Sequence, residues 1–164
     1  MRRYLLSFLG AFAVSEAVLW GMTALGFYLW FWDEPPLWFE TLWLIAVLLP
    51  FPALGEFFGR RPGAAAVRKD WRGLRILSGV MMALSILNAA GIHIPNFASP
   101  GELLGGFIKN AVGLRRWYRW KGIVLDHAFA FLGNLLIPPL FHLGWRWGRA
   151  ALSSGELLLG QQPV

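Results

Sequence analysis

Residues 122–149 read GIVLDHAFAFLGNLLIPPLFHLGWRWGR. The run is apolar for most of its length, yet it carries Asp126 beside His127, then Asn134, a Pro138-Pro139 pair and His142. A helix of about 20 such residues crosses a hydrocarbon core of about 30 Å. Three more runs of this kind, at 4–31, 37–58 and 74–92, join a fourth span at 123–145. Together they predict an all-α membrane protein, with four transmembrane helices in one bundle over residues 1–164.

Composition supports this class. Of the 164 residues, 57% are hydrophobic, with 10 Trp and 13 Phe, and only 15% are charged. A soluble domain carries about 25% charge to cover its surface. There is no cysteine, which excludes disulfides and thiolate nucleophiles or metal sites. Fifteen Lys and Arg stand against nine Asp and Glu, but the basic clusters flank apolar spans, so the excess reads as topology and anionic headgroups and not as nucleic-acid binding.

The start, MRRYLLSFLGAFAVSEA, imitates a secretory signal, but its apolar character continues to Trp32, which suits an uncleaved first span. Asp33-Glu34-Pro35-Pro36 closes that span with a polar turn, and Pro50 and Pro52 predict a kink in the second. With the N-terminus inside, the inner side holds Arg2, Arg3, Arg60, Arg61, Arg68, Lys69, Arg72, Arg75, Arg146 and Arg149. The outer side holds Lys109, Arg115, Arg116, Arg119 and Lys121. This asymmetry predicts a multi-pass protein of the cell (inner) membrane with both termini cytoplasmic.

Between the third and fourth spans, 102–114 is too short to cross. Leu103, Leu104, Phe107, Ile108, Ala111 and Val112 share one helical face, so the expectation is an amphipathic helix that lies on the outer leaflet or re-enters it. RRWYRWKG then anchors it at the headgroups, where His93, Arg115, Arg116, Arg119 and Lys121 would meet lipid phosphate. Trp30, Trp32, Trp38, Trp117 and Trp120 predict one aromatic belt, and Tyr4, Trp71, Trp145 and Trp147 the other. On the first span, Gly10, Ala13, Ala17, Gly21 and Ala24 form a small-residue stripe, expected to pack inside the bundle before it meets a separate protein.

Polar groups at membrane depth carry the chemistry. Glu16 and Asn134 fall near the midplane, with Ser85 and Asn88 somewhat nearer the outer side; together they are the candidate buried cluster. Three roles fit it: a polar clamp that fixes helix register, a proton or cation relay, or a Glu16 that faces a partner subunit. At the outer end Asp126 and His127 are the candidate catalytic pair, since a carboxylate beside an imidazole can orient it and raise its basicity. His142 reads as an inner-interface residue beside Trp145 and Trp147. No metal spacing and no cofactor motif is present, and the depth of His142 argues against haem.

GGFIKN at 105–110, followed by GIVLD at 122–126, resembles two stretches of the lipoprotein signal peptidases, four-span proteins of about this size. The likeness covers roughly twenty residues and departs where their aspartate-arginine pair would begin, at Gly113. It implies only that this architecture can house an aspartyl site, with Asp126 its one candidate here.

The expected function is a non-catalytic accessory or scaffold subunit of a larger membrane assembly. Its partners would be the bilayer, anionic headgroups, and other subunits or further copies of the chain. Two other classes stay open: a small transporter or proton/cation-coupled permease centred on Glu16, and an outer-leaflet enzyme acting on lipid through Asp126 and His127.

Overall fold

The computed structural model describes residues 1–29, 37–60, 67–90, 99–111 and 120–159. These residues form six helices and, among them, no strand: α1 (Arg2–Leu29), α2 (Leu37–Leu48), α3 (Pro50–Gly59), α4 (Val67–Ala89), α5 (Ser99–Ala111) and α6 (Trp120–Leu159). Long unbroken apolar runs favour helices because every backbone donor and acceptor is then satisfied within the segment.

Among the described residues, three stretches are long and apolar enough to cross a membrane: Arg2–Gly26, Trp38–Gly59 and His127–Ala151. The helix expected as the third span, α4, is not among them. Its first turns carry Arg68, Lys69, Asp70, Arg72 and Arg75, and residues 76–89 reach only about 21 Å. The second span divides at Leu49, between α2 and α3, beside the prolines for which a kink was expected, and Leu49 itself keeps helical dihedrals. Pro50 and Pro52 cannot donate, but the Leu49 N–H still reaches the Ile45 carbonyl at 2.8 Å and the Ala53 N–H the Leu49 carbonyl at 3.1 Å. The helix therefore weakens there without being severed.

The long α6 is the spine, packed chiefly against α3, α5 and α4. Glycines set its closest approaches. A Cβ on Gly55 or Gly59 of α3 would overlap the carbonyl oxygens of Phe141 or Trp145 on α6. Reciprocally, a Cβ on Gly144 or Gly148 would overlap the carbonyls of Pro52 or Glu56. The two sequences GEFFG and GWRWG thus mesh backbone to backbone, and the pairing of Pro52 with Gly144 and Glu56 with Gly148 makes α3 and α6 parallel. A second glycine seam joins α5 to α6, where Gly101 abuts Asn134, Gly105 abuts Phe129 and Gly133 abuts Gly101. Without a hydrophobic drive in lipid, such close backbone approach supplies the dispersion that holds helices together.

The small-residue stripe of α1 takes no part in these seams. Ala13, Ala17, Gly21 and Ala24 are exposed, and a Cβ on Gly10 or Gly21 would meet nothing within 4 Å. The expectation of internal packing fails because the opposite face of α1 is bulkier and aromatic. That face inserts Tyr4, Phe8, Ala11 and Phe12 into a core completed by Phe51, Leu77, Met81, Ile137, Phe141 and Trp145.

Tyr4 and Trp145 are likewise core residues and not members of an inner belt, at 2% and 1% exposure. Gly73 on α4 makes room for the Tyr4 ring, and the Tyr4 hydroxyl finds a partner inside, so burial leaves no orphan group. Trp71 and Trp147 do remain exposed, as does Trp38 at the other end.

Candidate functional site

Two polar clusters sit between the helices. The first joins α4 to α6. Asn134, at 1% exposure, donates from Nδ2 to the Ser85 Oγ at 2.9 Å. Ser85 donates its own hydroxyl hydrogen bond to the Met81 carbonyl one turn back, also at 2.9 Å. A serine hydroxyl has one donor and two lone pairs, so its donor is spent on Met81 and one lone pair accepts from Asn134. Asn134 Oδ1 is buried without a hydrogen-bond donor among the described residues and lies so close to Gly101 that no methyl group fits between them. Pro138, four residues on, cannot bond the Asn134 main-chain carbonyl, as any other residue there would.

A neighbouring bond ties α1 to the kinked span. The buried Ser15 Oγ donates to the Val47 carbonyl at 2.6 Å, within a turn of Pro50. Glu16, the next residue, is half-buried with both carboxylate oxygens out of solvent. Sequence reasoning did not single out Ser15; the carbonyls that Pro50 and Pro52 leave without an intrahelical donor are those of Ala46 and Leu48, and Ser15 bonds the one between them.

The second cluster closes the Arg2 end of the bundle. The Tyr4 hydroxyl and His142 Nδ1 are 3.1 Å apart, and the Trp71 ring stands 5.0 Å from the imidazole. Tyr4 also meets the edges of Phe141 at 5.2 Å and Trp145 at 5.0 Å. His142 is buried here, not seated in an interface beside Trp147. The missed partner, Tyr4, was legible only as a polar ring at matching depth on another span.

The other singled-out residues stand apart or outside this description. Asn88 lies on α4 and Asp126 and Lys121 on α6, with side chains outside the described set, while His127 is exposed. His93, Arg115, Arg116 and Arg119 lie outside the described residues. The structure therefore brings Ser85 and Asn134 together, and gives no geometry for an Asp126–His127 pair. Among the described residues, no three His, Asp or Glu side chains gather as metal ligands would.

The Ser85–Asn134 contact can do one thing well: fix the rotation of α4 on α6. Ser85→Ala removes the acceptor and strands the Asn134 amide, at an expected cost of about 1–2 kcal/mol in detergent unfolding. Thr23→Ala, which deletes an exposed bond within α1, should leave the unfolding midpoint unmoved. Equal shifts for the two variants would remove the clamp. No protein-family model matches the chain, and neither does any curated protein or solved structure.

Proposed function

We propose that the chain is a non-catalytic component of the cell membrane, an accessory or scaffold subunit that crosses the bilayer four times with both termini in the cytoplasm. In this reading α4 is the short third crossing. It runs antiparallel to α6 from Trp71 at His142 to Ser85 at Asn134, and long basic side chains in its first turns can reach back to the headgroups. α5 is a re-entrant helix, supported by its glycine edge on α6 between Phe129 and Asn134, inside the apolar run.

The observation that carries the subunit reading is a contrast between glycines. Those of α3 and α6 that face each other are closed by backbone from within the chain, whereas Gly10 and Gly21 of α1 are open beside exposed Ala13, Ala17 and Ala24. A stripe that admits a close backbone, and receives none from the described residues of its own bundle, suits a helix of another subunit or copy. In mild detergent the wild-type chain should elute as a stoichiometric assembly, and Ala17→Leu/Gly21→Leu as a monomer with an unchanged unfolding midpoint. A wild-type chain that is monomeric in detergent and in vesicles would remove the reading.

A proton- or cation-coupled permease is the second reading, favoured by the buried Glu16 oxygens beside the proline-weakened span. Packing weighs against it. Phe8 meets Phe141 at 5.4 Å and Phe51 at 5.8 Å, and Phe12 meets Phe51 at 6.2 Å, so aromatic rings fill the bundle between Glu16 and the Arg2 end. Transport in liposomes that disappears in Glu16→Gln would reverse this order.

A further inference from the structure

Side-chain hydrogen bonds tie α1 to the second span through Ser15 and to α6 through Tyr4, and α4 to α6 through Ser85. α5 is held differently. It packs chiefly on α6 and only lightly on α1 and α2, and its edge on α6 is made of glycine. Gly101 and Gly105 meet Asn134 and Phe129 so closely that neither has room for a Cβ.

The polar side chain in that seam, Asn134, gives nothing to α5. Its Nδ2 is committed to Ser85 on α4. Its Oδ1 faces the first turn of α5 at Gly101, covered by protein and without a hydrogen-bond donor. No water reaches that oxygen while α5 is seated. An acceptor buried in this way weights the equilibrium against the state that buries it, by about tenfold or more. Pro138 and Pro139 add to the imbalance, because the Asn134 and Leu135 carbonyls lack the donors that other residues would supply four positions on.

We infer that α5 is a lid over Asn134. It parts from α6 by itself, ahead of the rest of the bundle, and Asn134 Oδ1 then accepts a hydrogen bond from entering water. Local opening starts where few bonds must break and a buried polar group gains a partner. The aromatic core is built from α1, α3, α4 and α6, so the bundle stays packed while the lid is open. The lid depends neither on the number of crossings nor on a partner for α1.

The test is hydrogen–deuterium exchange of the full chain in detergent micelles, followed peptide by peptide with mass spectrometry. Peptides from α5 should exchange at least about tenfold faster than those from α3. Asn134→Val removes the unpaired oxygen, keeps a γ carbon against Gly101, and leaves Ser85 bonded to the Met81 carbonyl. It should slow exchange in α5 about tenfold and leave α3 unchanged. Gly101→Ala drives a methyl group into the Asn134 side chain and should act in the opposite sense, with α5 about tenfold faster and α3 unchanged. The two variants are read independently, so failure of one to fold leaves the other to decide. An unchanged α5 rate in a folded variant, or a change of equal size in α3, overturns the lid. Equal exchange of α5 and α3 in the wild-type chain overturns it as well.

Discussion

Gly144→Val should abolish the folded state in detergent or lower its stability by about 3 kcal/mol or more, the upper range for forcing atoms into a packed interior. The Cβ of residue 144 would have to occupy space held by the Pro52 carbonyl oxygen. That neighbour is backbone, so no rotamer change relieves the overlap. α3 and α6 must separate, and separation also opens the contacts at Gly55, Gly59 and Gly148, which share the seam. No hydrophobic drive returns the parted helices to each other, because lipid tails are as apolar as the side chains they cover, and looser acyl packing does not replace the close backbone contact. Gly21→Val, on the open face of α1, should leave the unfolding midpoint of the isolated chain almost unchanged. Similar midpoints for the two variants in sodium dodecyl sulfate titrations would show that the seam is not where the structure places it.

Trp145→Ala should cost about 3–5 kcal/mol, the range for emptying a large aromatic site in a core. The indole is 1% exposed, stands edge-on to Tyr4 at 5.0 Å and lies 6.0 Å from Phe141. Its removal leaves a hole among α1, α3 and α6 and loosens Tyr4, whose hydroxyl holds His142. Trp147, two residues on and 56% exposed, provides the control. An aromatic exposed to this degree loses little when truncated, so Trp147→Ala should change the same titration by less than about 1 kcal/mol. Equal effects at both positions would return Trp145 to the surface belt.

The class of the protein is plain in its composition and apolar runs, because in a bilayer the length and hydropathy of a segment almost determine its structure. The first span, read at 4–31, is α1 at Arg2–Leu29, and the proline pair of the second falls where the helix weakens. Helix rotation was not legible. GEFFG, GELLG and GWRWG carry the same four-residue spacing of small residues as the α1 stripe, yet the first three close on neighbours and α1 does not. Spacing tells which residues share a face; it does not tell which faces meet. The same gap misplaced Tyr4 and Trp145, since an aromatic near the end of a span suits a headgroup belt and a buried core equally until its rotation is known. From its apolar last turns α4 reads as a full span, but the arginines of its first turns shorten the uncharged part. The Ser85–Asn134 bond lay closer to reach, because two polar side chains at similar depth in an apolar bundle have few other partners.

The absence of cysteine makes the chain a natural background for single-cysteine labelling from either side of a sealed vesicle. Cysteines replacing the exposed Arg2, Arg72 and Trp147 should react with an impermeant maleimide from one face. Those replacing Tyr28, Trp38 and Ala90, also exposed, should react only from the other. That pattern requires four crossings, with α4 a complete one. Labelling of positions 72 and 90 from the same face would contradict it, as would positions 2 and 147 reacting from opposite faces.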